Sequence, residues 1–163
     1  MTIREFEIVD QVDQDALLRI WNGCKDNIIA NNGPITYEQM LFKFTEKGSM
    51  FMEGKTDGVI SLYIAGVLNV RTRTYTITNA LAETPSEFVA WPADLLYNKL
   101  KEANIHHIVI WGLKDNTPLM DIVDAKKFGR DDLYQFNKKV ISGIEEDESD
   151  NTINRYAITL DLI

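Results

Sequence analysis

Apolar and charged positions alternate at the start of the chain, and apolar residues then recur at a helical interval. In the run IREFEIV the apolar residues are flanked by charged ones, a pattern that predicts a short strand. From Asp13 the apolar residues return every three or four positions, which predicts a first helix over about residues 13–28. The chain is therefore expected to begin with a strand followed by a helix.

A second helix has a clear start signal. Thr36 and Gln39 have the spacing of a capping box, in which each side chain binds the other residue's backbone amide. Gly48 is a typical stop signal. Together these residues predict a helix over about residues 36–47.

Beyond Gly48 the pattern changes to short β segments, which read SMFMEG, VISLYIAGVLNV and RTYTITNA. The tetrapeptide KTDG, between the first two, has the composition of a tight hairpin turn. These segments predict an antiparallel meander.

The second half of the chain again alternates helix and strand. Apolar residues at helical spacing predict a third helix, and the almost continuously apolar run IHHIVIWGL predicts a strand that is covered on both faces. A short fourth helix is expected from Asp115 or Asn116. Two strands, FNKKVISGI and NRYAITLDLI, are predicted on either side of an acidic surface turn, EEDESDN.

Composition and charge narrow the class of protein. The 163 residues, 45% hydrophobic and 26% charged, are typical of one folded domain, so residues 1–163 are predicted to form a single domain. The formal net charge of −8 disfavours binding to nucleic acid or to an anionic membrane. The chain has a single cysteine, no signal-peptide pattern and no apolar run of roughly 18 residues, so a cytoplasmic protein without disulfides is expected.

The order of elements and one long stretch carry a family resemblance. The stretch LLYNKLKEANIHHIVIWGLKDNTPLMDIVDAKKFG contains a helix, a buried strand, an Asp-Asn turn and a second helix. In these features the chain resembles the GNAT acetyltransferase superfamily over nearly its whole length. The resemblance implies an α/β (α+β) fold, with a mixed central sheet flanked by helices on both faces and splayed between its fourth and fifth strands. It also implies acetyl-CoA as the cosubstrate, bound in the splay, and a primary amine of a small molecule or protein as the acceptor.

The pyrophosphate loop of the family falls on TPSEFV, residues 84–89, and its usual pattern is missing here. Family members commonly have Arg or Gln, two residues, Gly, one residue, then Gly or Ala, which lets backbone amides converge on the pyrophosphate. Pro85 has no amide hydrogen, and Glu87 carries a like charge. A ligand with fewer negative charges would suit this loop better. The resemblance places the expected acyl-CoA contacts at Leu81, Ala82, Phe88, Val89, Ala90 and Asn116.

The catalytic residues of the family are also incomplete. Relatives often have a tyrosine as general acid seven residues after the Asn of the Asp-Asn turn, and Val123 occupies that position here. Tyr75, Tyr97 and Tyr134 are alternatives, although a packed ring with its hydroxyl in water explains each of them as well. Glu83 matches the place where relatives have a general base that deprotonates the amine. The alternative for Glu83 is a solvated loop glutamate.

Other reactive residue types have structural explanations. His106 and His107 point to opposite faces of a strand, so we expect one packed and one surface histidine and no metal site. Cys24 is expected to be an inert core thiol, and the run EEDESD lacks the ligand spacing of a calcium loop. Phe88 and Trp91, the latter just inside the third helix, either wall a small ligand, fill the space of a missing cofactor, or pack in the core.

Three functions remain open on the sequence. The first is an N-acyltransferase that uses acetyl-CoA or another acyl-CoA, with Glu83 or a water molecule assisting the amine. The second is a binding or regulatory module that keeps the fold and has lost CoA. The third is a structural or assembly protein, for instance a homodimer formed through the C-terminal strands. Fold alone does not decide among them.

Overall fold

The computed structural model describes residues 1–113, 135–136, 139–147 and 155–162. Several predicted features lie outside these residues: the fourth helix with Asn116 and Val123, the candidate acid Tyr134, and the end of the acidic turn. Within the described residues, no helix combines the length and the hydropathy needed to cross a bilayer.

In the described residues the order of elements agrees with the predicted one, except that the third helix is divided and a two-residue strand precedes the last hairpin. The elements are β1 (Arg4–Val9), α1 (Gln14–Asn32), α2 (Tyr37–Lys43), β2 (Ser49–Thr56), β3 (Val59–Asn69), β4 (Thr74–Ala82), α3 (Pro85–Ala90), α4 (Ala93–Glu102), β5 (His107–Leu113), β6 (Gln135–Phe136), β7 (Lys139–Asp147) and β8 (Arg155–Asp161).

The third helix is broken at Trp91 and Pro92. Helix α3 ends at Ala90, and α4 begins at Ala93. Pro92 has no amide hydrogen, and its ring clashes with the preceding turn, so one regular helix does not continue through it. The prediction that Trp91 lies inside the helix is therefore wrong, because Trp91 lies in the connection between α3 and α4.

Local side-chain signals fix the ends of the first two helices. The Asp13 side chain caps α1, and Thr36 and Gln39 form the predicted capping box of α2. Helix α1 continues beyond its predicted end to Asn32. It stops there because Gly33 adopts a φ of 86°, a left-handed conformation that favours glycine.

The predicted turn KTDG joins β2 to β3. Its last two residues, Asp57 and Gly58, lie between the paired residues Thr56 and Val59 and have φ angles of 50° and 83°. Two consecutive left-handed residues are the signature of a type I′ hairpin turn. The turn sets the register of the hairpin, in which Thr56 pairs with Val59.

Internal contacts divide the chain into two compact units, and the first comprises residues 1–68 and 77–100. In this unit β1 is antiparallel to β2 and β2 to β3, in the strand order β1-β2-β3-β4. Trp91 contacts one face of the sheet, at Phe6 and Gly54. Helices α1 and α2 cover the opposite face, in a core that includes Leu17, Ile20, Trp21, Met40, Phe44, Phe51 and Tyr63. Both faces of these strands are therefore covered, as predicted.

The second unit comprises residues 69–76 and 101–163. Here the start of β4 is parallel to β5, with residues 74–76 paired to residues 107–109. In the described residues, these three positions are the only ones at which β4 and β5 pair. Strands β5 and β7 are each antiparallel to β8, and β6 pairs with β7. The sheet is therefore mixed, and the predicted parallel neighbours are confirmed, while the single domain remains a prediction.

Strand β7 extends further than the sequence suggested. Glu145, Glu146 and Asp147 pair with residues 155–157 of β8. The prediction that they belong to the acidic turn is therefore wrong. Asp147 is the last residue of this pairing and lies opposite Arg155.

Candidate functional site

The candidate base, Glu83, lies in the segment between β4 and α3, and the predicted pyrophosphate loop, residues 84–89, begins there and continues into α3. The Glu83 amide donates to the Ser61 carbonyl oxygen at 3.1 Å, which holds this segment against β3. The Thr84 hydroxyl accepts a hydrogen bond from the Glu87 amide at 3.0 Å, so Thr84 caps the start of α3. One amide of the first helical turn is thus already bound within the chain.

The Glu87 carboxylate is turned toward the β2–β3 hairpin. Its Oε1 atom accepts hydrogen bonds from the hydroxyls of Thr56 at 2.6 Å and Ser61 at 3.0 Å, and Arg4 Nε lies 3.9 Å away. The Thr56 hydrogen bond is the main cause that lowers the pKa of Glu87; burial opposes it, and Ser61, Arg4 and Trp91 lower it further. Glu87 is therefore ionised at neutral pH, and its charge is directed toward partners in its own chain.

An irregularity in the hairpin brings the two hydroxyls together. Gly54 pairs with Leu62 and Lys55 with Ile60, so Ser61 is an extra residue in β3. Such a bulge changes the direction of a side chain relative to the regular strand. The hydroxyl oxygens of Ser61 and Thr56 lie 2.9 Å apart, and both contact the same carboxylate oxygen.

Trp91 packs against the same side of the sheet. Its ring lies 4.5 Å from that of Phe6, centroid to centroid, and a β-carbon at Gly54 would come within 2.9 Å of the indole. These contacts favour the predicted core packing of Trp91. The Phe88 side chain is not among the side chains that the structure describes. Trp91 Nε1 and Arg4 Nε are buried and have no hydrogen-bond partner in the described part of the chain. The indole N–H nevertheless lowers the pKa of Glu87.

Glu83 lies in more open surroundings. Its Oε2 is 3.3 Å from Arg19 Nη1, and the two side chains are 40% and 41% exposed. Arg19 also donates to the Ile60 carbonyl oxygen at 2.6 Å. Exposed ion pairs of this kind contribute little to stability. The backbone is held more firmly, since a β-carbon at Gly23 of α1 would collide with the Glu83 carbonyl oxygen.

A cavity of about 300 Å³ is lined by both glutamates. It is lined by Thr56, Val59, Ser61, Glu83, Thr84 and Glu87. Hydroxyls and carboxylates of this kind suit a small cationic or hydrogen-bonding group. Cavities of about 410 and 640 Å³ elsewhere in the first unit contain neither glutamate, so the smaller one is the candidate site.

The predicted acyl-CoA contacts lie in different elements of the fold. Leu81 and Ala82 are buried at the end of β4. Phe88, Val89 and Ala90 lie in α3, which begins at Pro85. Amides from the fourth helical residue onward have an intrahelical acceptor, so these three are less available than first-turn amides. Asn116 lies outside the described residues, and the whole set of contacts remains a prediction.

The candidate tyrosines are less accessible than expected. Tyr75 is fully buried and Tyr97 is 2% exposed. The expectation that their hydroxyls meet water is therefore wrong. Burial raises the pKa of Tyr75.

The remaining sequence candidates have ordinary structural surroundings. Cys24 lies in the core, and burial raises the pKa of its thiol, as expected of an inert cysteine. His106 contacts Asn104 and His107 contacts Asp161, and both histidines are half-buried, so the expected division into one packed and one surface histidine is wrong. In the described ranges no group of three or more His, Cys, Asp or Glu residues is placed to hold a metal ion.

Sequence reasoning missed most of the residues around the two glutamates. They are Arg4, Arg19, Gly23, Gly54, Thr56 and Ser61. Two of them carried a signal. Gly23 interrupts a helical pattern, where glycine usually needs a packing reason, and Ser61 is polar within an apolar strand.

Comparison with known proteins gives structural matches only. No protein-family model and no curated protein sequence matches the chain. The aminoglycoside 6′-N-acetyltransferase from Enterococcus faecium is 9% identical, with 97% of each chain covered and a TM-score of 0.59. An aminoglycoside 6′-N-acetyltransferase complexed with coenzyme A is 6% identical, with 97% of each chain covered and a TM-score of 0.60. The ribosomal-protein-S18-alanine N-acetyltransferase from Escherichia coli is 10% identical, covers 96% of this chain and 94% of its own, and has a TM-score of 0.56.

These structures cover nearly the whole chain at identities too low to transfer an activity. The mixed sheet, the parallel pairing of β4 with β5 and the flanking helices agree with the architecture that the sequence implied. The chain therefore has the fold of the GNAT acetyltransferase superfamily.

Proposed function

We propose that the protein is an N-acyltransferase that moves an acetyl group from acetyl-CoA to a primary amine. The observation that carries the proposal is the position of Glu83, which follows β4 and lines a cavity of about 300 Å³ together with Glu87. The acceptor is proposed to be an amine because the structural neighbours are named as aminoglycoside and alanine N-acetyltransferases.

The two carboxylates have different roles in this proposal. An amine is protonated at neutral pH and must lose a proton before it attacks an acyl group. Glu83 is the proposed base, since its carboxylate is half-exposed and its one described ion pair, with Arg19, is of the weak surface type. Glu87 remains ionised and bound to its hydroxyl partners, and its charge favours a cation in the cavity.

The loop itself fits a pyrophosphate poorly. Pro85 donates no amide hydrogen, the Glu87 amide is bound to Thr84, and the nearby carboxylate is ionised. We therefore infer that acetyl-CoA is a cosubstrate of low affinity. Its proposed contacts remain Leu81, Ala82, Phe88, Val89, Ala90 and Asn116.

A second candidate function is a GNAT-fold binding or assembly module without CoA. Two features of Glu87 support it. Its amide is already bound to Thr84 and its carboxylate is ionised, and both oppose the binding of an anionic ligand at this loop. In either case the cytoplasmic location, the lack of nucleic-acid and membrane partners, and the homodimer remain proposals.

The two candidates are separated by measuring thiol release from acetyl-CoA with a panel of primary amines. The enzyme is expected to release thiol in an amine-dependent way, and Glu83→Gln is expected to lower the rate about a hundredfold. Glu87→Gln is the matched comparison, and we expect a smaller loss because Glu87 is not the proposed base. A rate unaffected by Glu83→Gln would contradict the assigned base.

A thermal-shift titration with millimolar acetyl-CoA supplies the binding measurement. A ligand at about 100 times its dissociation constant stabilises the folded state by roughly 2.7 kcal/mol. We expect a much smaller shift here because the loop fits a pyrophosphate poorly. No thermal shift together with no amine-dependent thiol release would reject the enzyme and favour the second candidate.

A further inference from the structure

Four donor groups from separate parts of the first unit surround the Glu87 carboxylate. Thr56 at the end of β2 and Ser61 in β3 donate to its Oε1 atom at 2.6 and 3.0 Å. Arg4 in β1 places its Nε atom 3.9 Å from the same oxygen. The Trp91 indole packs against Phe6 of β1 and Gly54 of β2, and it lowers the pKa of the same carboxyl. The carboxylate thus occupies the point on which these donors converge.

Two of these donor groups lack a hydrogen-bond acceptor in the described residues. Arg4 Nε and Trp91 Nε1 are buried, and neither has a hydrogen-bond partner among the residues that the structure describes. A buried donor without a partner costs free energy. A guanidinium group, two hydroxyls and an indole N–H are the groups with which proteins bind carboxylates and phosphates.

We propose that these four residues form an anion-binding site whose occupant is the chain's own Glu87 carboxylate, and that a small oxyanion binds there when this carboxylate is removed. The site consists of side chains of β1, β2, β3 and the α3–α4 connection. It therefore differs from a site formed by the backbone amides of the loop, and it does not depend on the proposed acyltransferase activity.

The cavity beside the site gives an external anion a route to it. Thr56, Ser61 and Glu87 all line the cavity of about 300 Å³. Glu83 lines it as well, but its carboxylate is paired with Arg19, so it does not neutralise Arg4. In the unmodified protein an external anion must compete with a carboxylate tethered to the same chain, which has a high effective concentration. The unmodified protein is therefore expected to bind free phosphate weakly.

The test compares Glu87→Ala, which vacates the site, with Glu87→Gln, which keeps it filled by an uncharged side chain. Inorganic phosphate is the probe, its binding is followed by phosphorus NMR line width, and sodium chloride at matched ionic strength is the control. The dissociation constant for phosphate is expected to be about tenfold lower in Glu87→Ala than in the unmodified protein. Glu87→Gln should resemble the unmodified protein, and Glu87→Ala with Arg4→Ala should lose the gain.

Equal phosphate binding by Glu87→Ala and the unmodified protein would overturn the proposal, as would a gain that survives Arg4→Ala. If Glu87→Ala does not fold, Arg4→Gln in the otherwise unchanged chain decides the question. In that variant the Glu87 carboxyl, followed by NMR, should titrate at a higher pH than in the unmodified protein. An unchanged titration would show that Arg4 is not part of the site.

Discussion

Glu83 and Glu87 lie four positions apart in one short segment, yet their surroundings differ. The Glu83 side chain is 40% exposed, with an ion pair to Arg19 at 3.3 Å. The Glu87 side chain is 21% exposed and accepts two hydrogen bonds from the β2–β3 hairpin. The number of partners and the degree of burial therefore distinguish the two carboxylates.

The difference is consistent with the separate tasks proposed for the two residues. At Glu83 the backbone is tightly packed and the carboxylate is accessible, which suits proton transfer to or from a ligand. At Glu87 the carboxylate itself accepts hydrogen bonds from Thr56 and Ser61, and so binds the start of α3 to the β2–β3 hairpin. The negative charge of Glu87 is thus explained as a structural contact within the chain.

The largest effect is expected from the backbone contact on the Glu83 side. Gly23→Ala places a β-carbon against the Glu83 carbonyl oxygen, where a backbone atom must move. We expect the free energy of unfolding to fall by about 2–3 kcal/mol in urea denaturation, although alanine favours helix elsewhere. Asn22→Ala, at an exposed position of the same helix, is the control and should change stability by less than about 0.5 kcal/mol. A stable Gly23→Ala protein would show that α1 is not tightly packed on this segment.

The next effect compares the two carboxylates directly. Glu87→Ala leaves the hydroxyls of Thr56 and Ser61 without their acceptor, and we expect it to lower the free energy of unfolding by about 1–2 kcal/mol. Glu83→Ala removes only an exposed ion pair and should cost about 0.5 kcal/mol or less. Equal losses in urea denaturation would remove the distinction between the two sites.

Stability should also depend on pH through Glu87. Its pKa is lowered in the folded state from an ordinary value of 4.5, so the unfolded chain binds the proton more readily. The stabilisation by its charge is therefore complete above pH 4.5 and is lost as the pH falls through the folded-state pKa. We expect the stability difference between the unmodified protein and Glu87→Gln to be constant near neutral pH. A difference that fails to shrink below pH 4.5 would contradict this assignment.

Much of the fold was predictable because local signals and tertiary structure agree. The capping box of Thr36 and Gln39, the Asp57-Gly58 turn and the apolar run of β5 each specify an element without reference to distant residues. The break at Pro92 was also present in the sequence, but the apolar spacing on either side obscured it. Boundaries were less certain in β7, where pairing with β8 extends the strand into acidic residues.

The candidate site was predictable only in part. The position of Glu83 followed from the order of elements, whereas the partners of Glu87 did not. Arg4, Thr56 and Ser61 are 83, 31 and 26 positions away from Glu87 in the sequence and reach it only through strand pairing and a bulge. A single sequence contains no signal for such contacts, so Glu87 was interpreted only as a charge that opposes phosphate.

The smallest effect, and the most selective one, is the response of the two ion pairs to salt. A double-mutant cycle isolates each coupling: Arg19→Ala with Glu83→Ala, and Arg4→Ala with Glu87→Ala. The Arg19–Glu83 coupling is expected to be about 0.5 kcal/mol and to vanish near 1 M NaCl, because both side chains are about 40% exposed. The Arg4–Glu87 pair is longer, at 3.9 Å, but its side chains are only 22% and 21% exposed, so its coupling should persist in salt. The cycles are measured by urea denaturation at low and high salt. If both couplings disappear together, the Arg4–Glu87 pair is as solvent-screened as its neighbour, and the division of tasks between the two carboxylates does not hold.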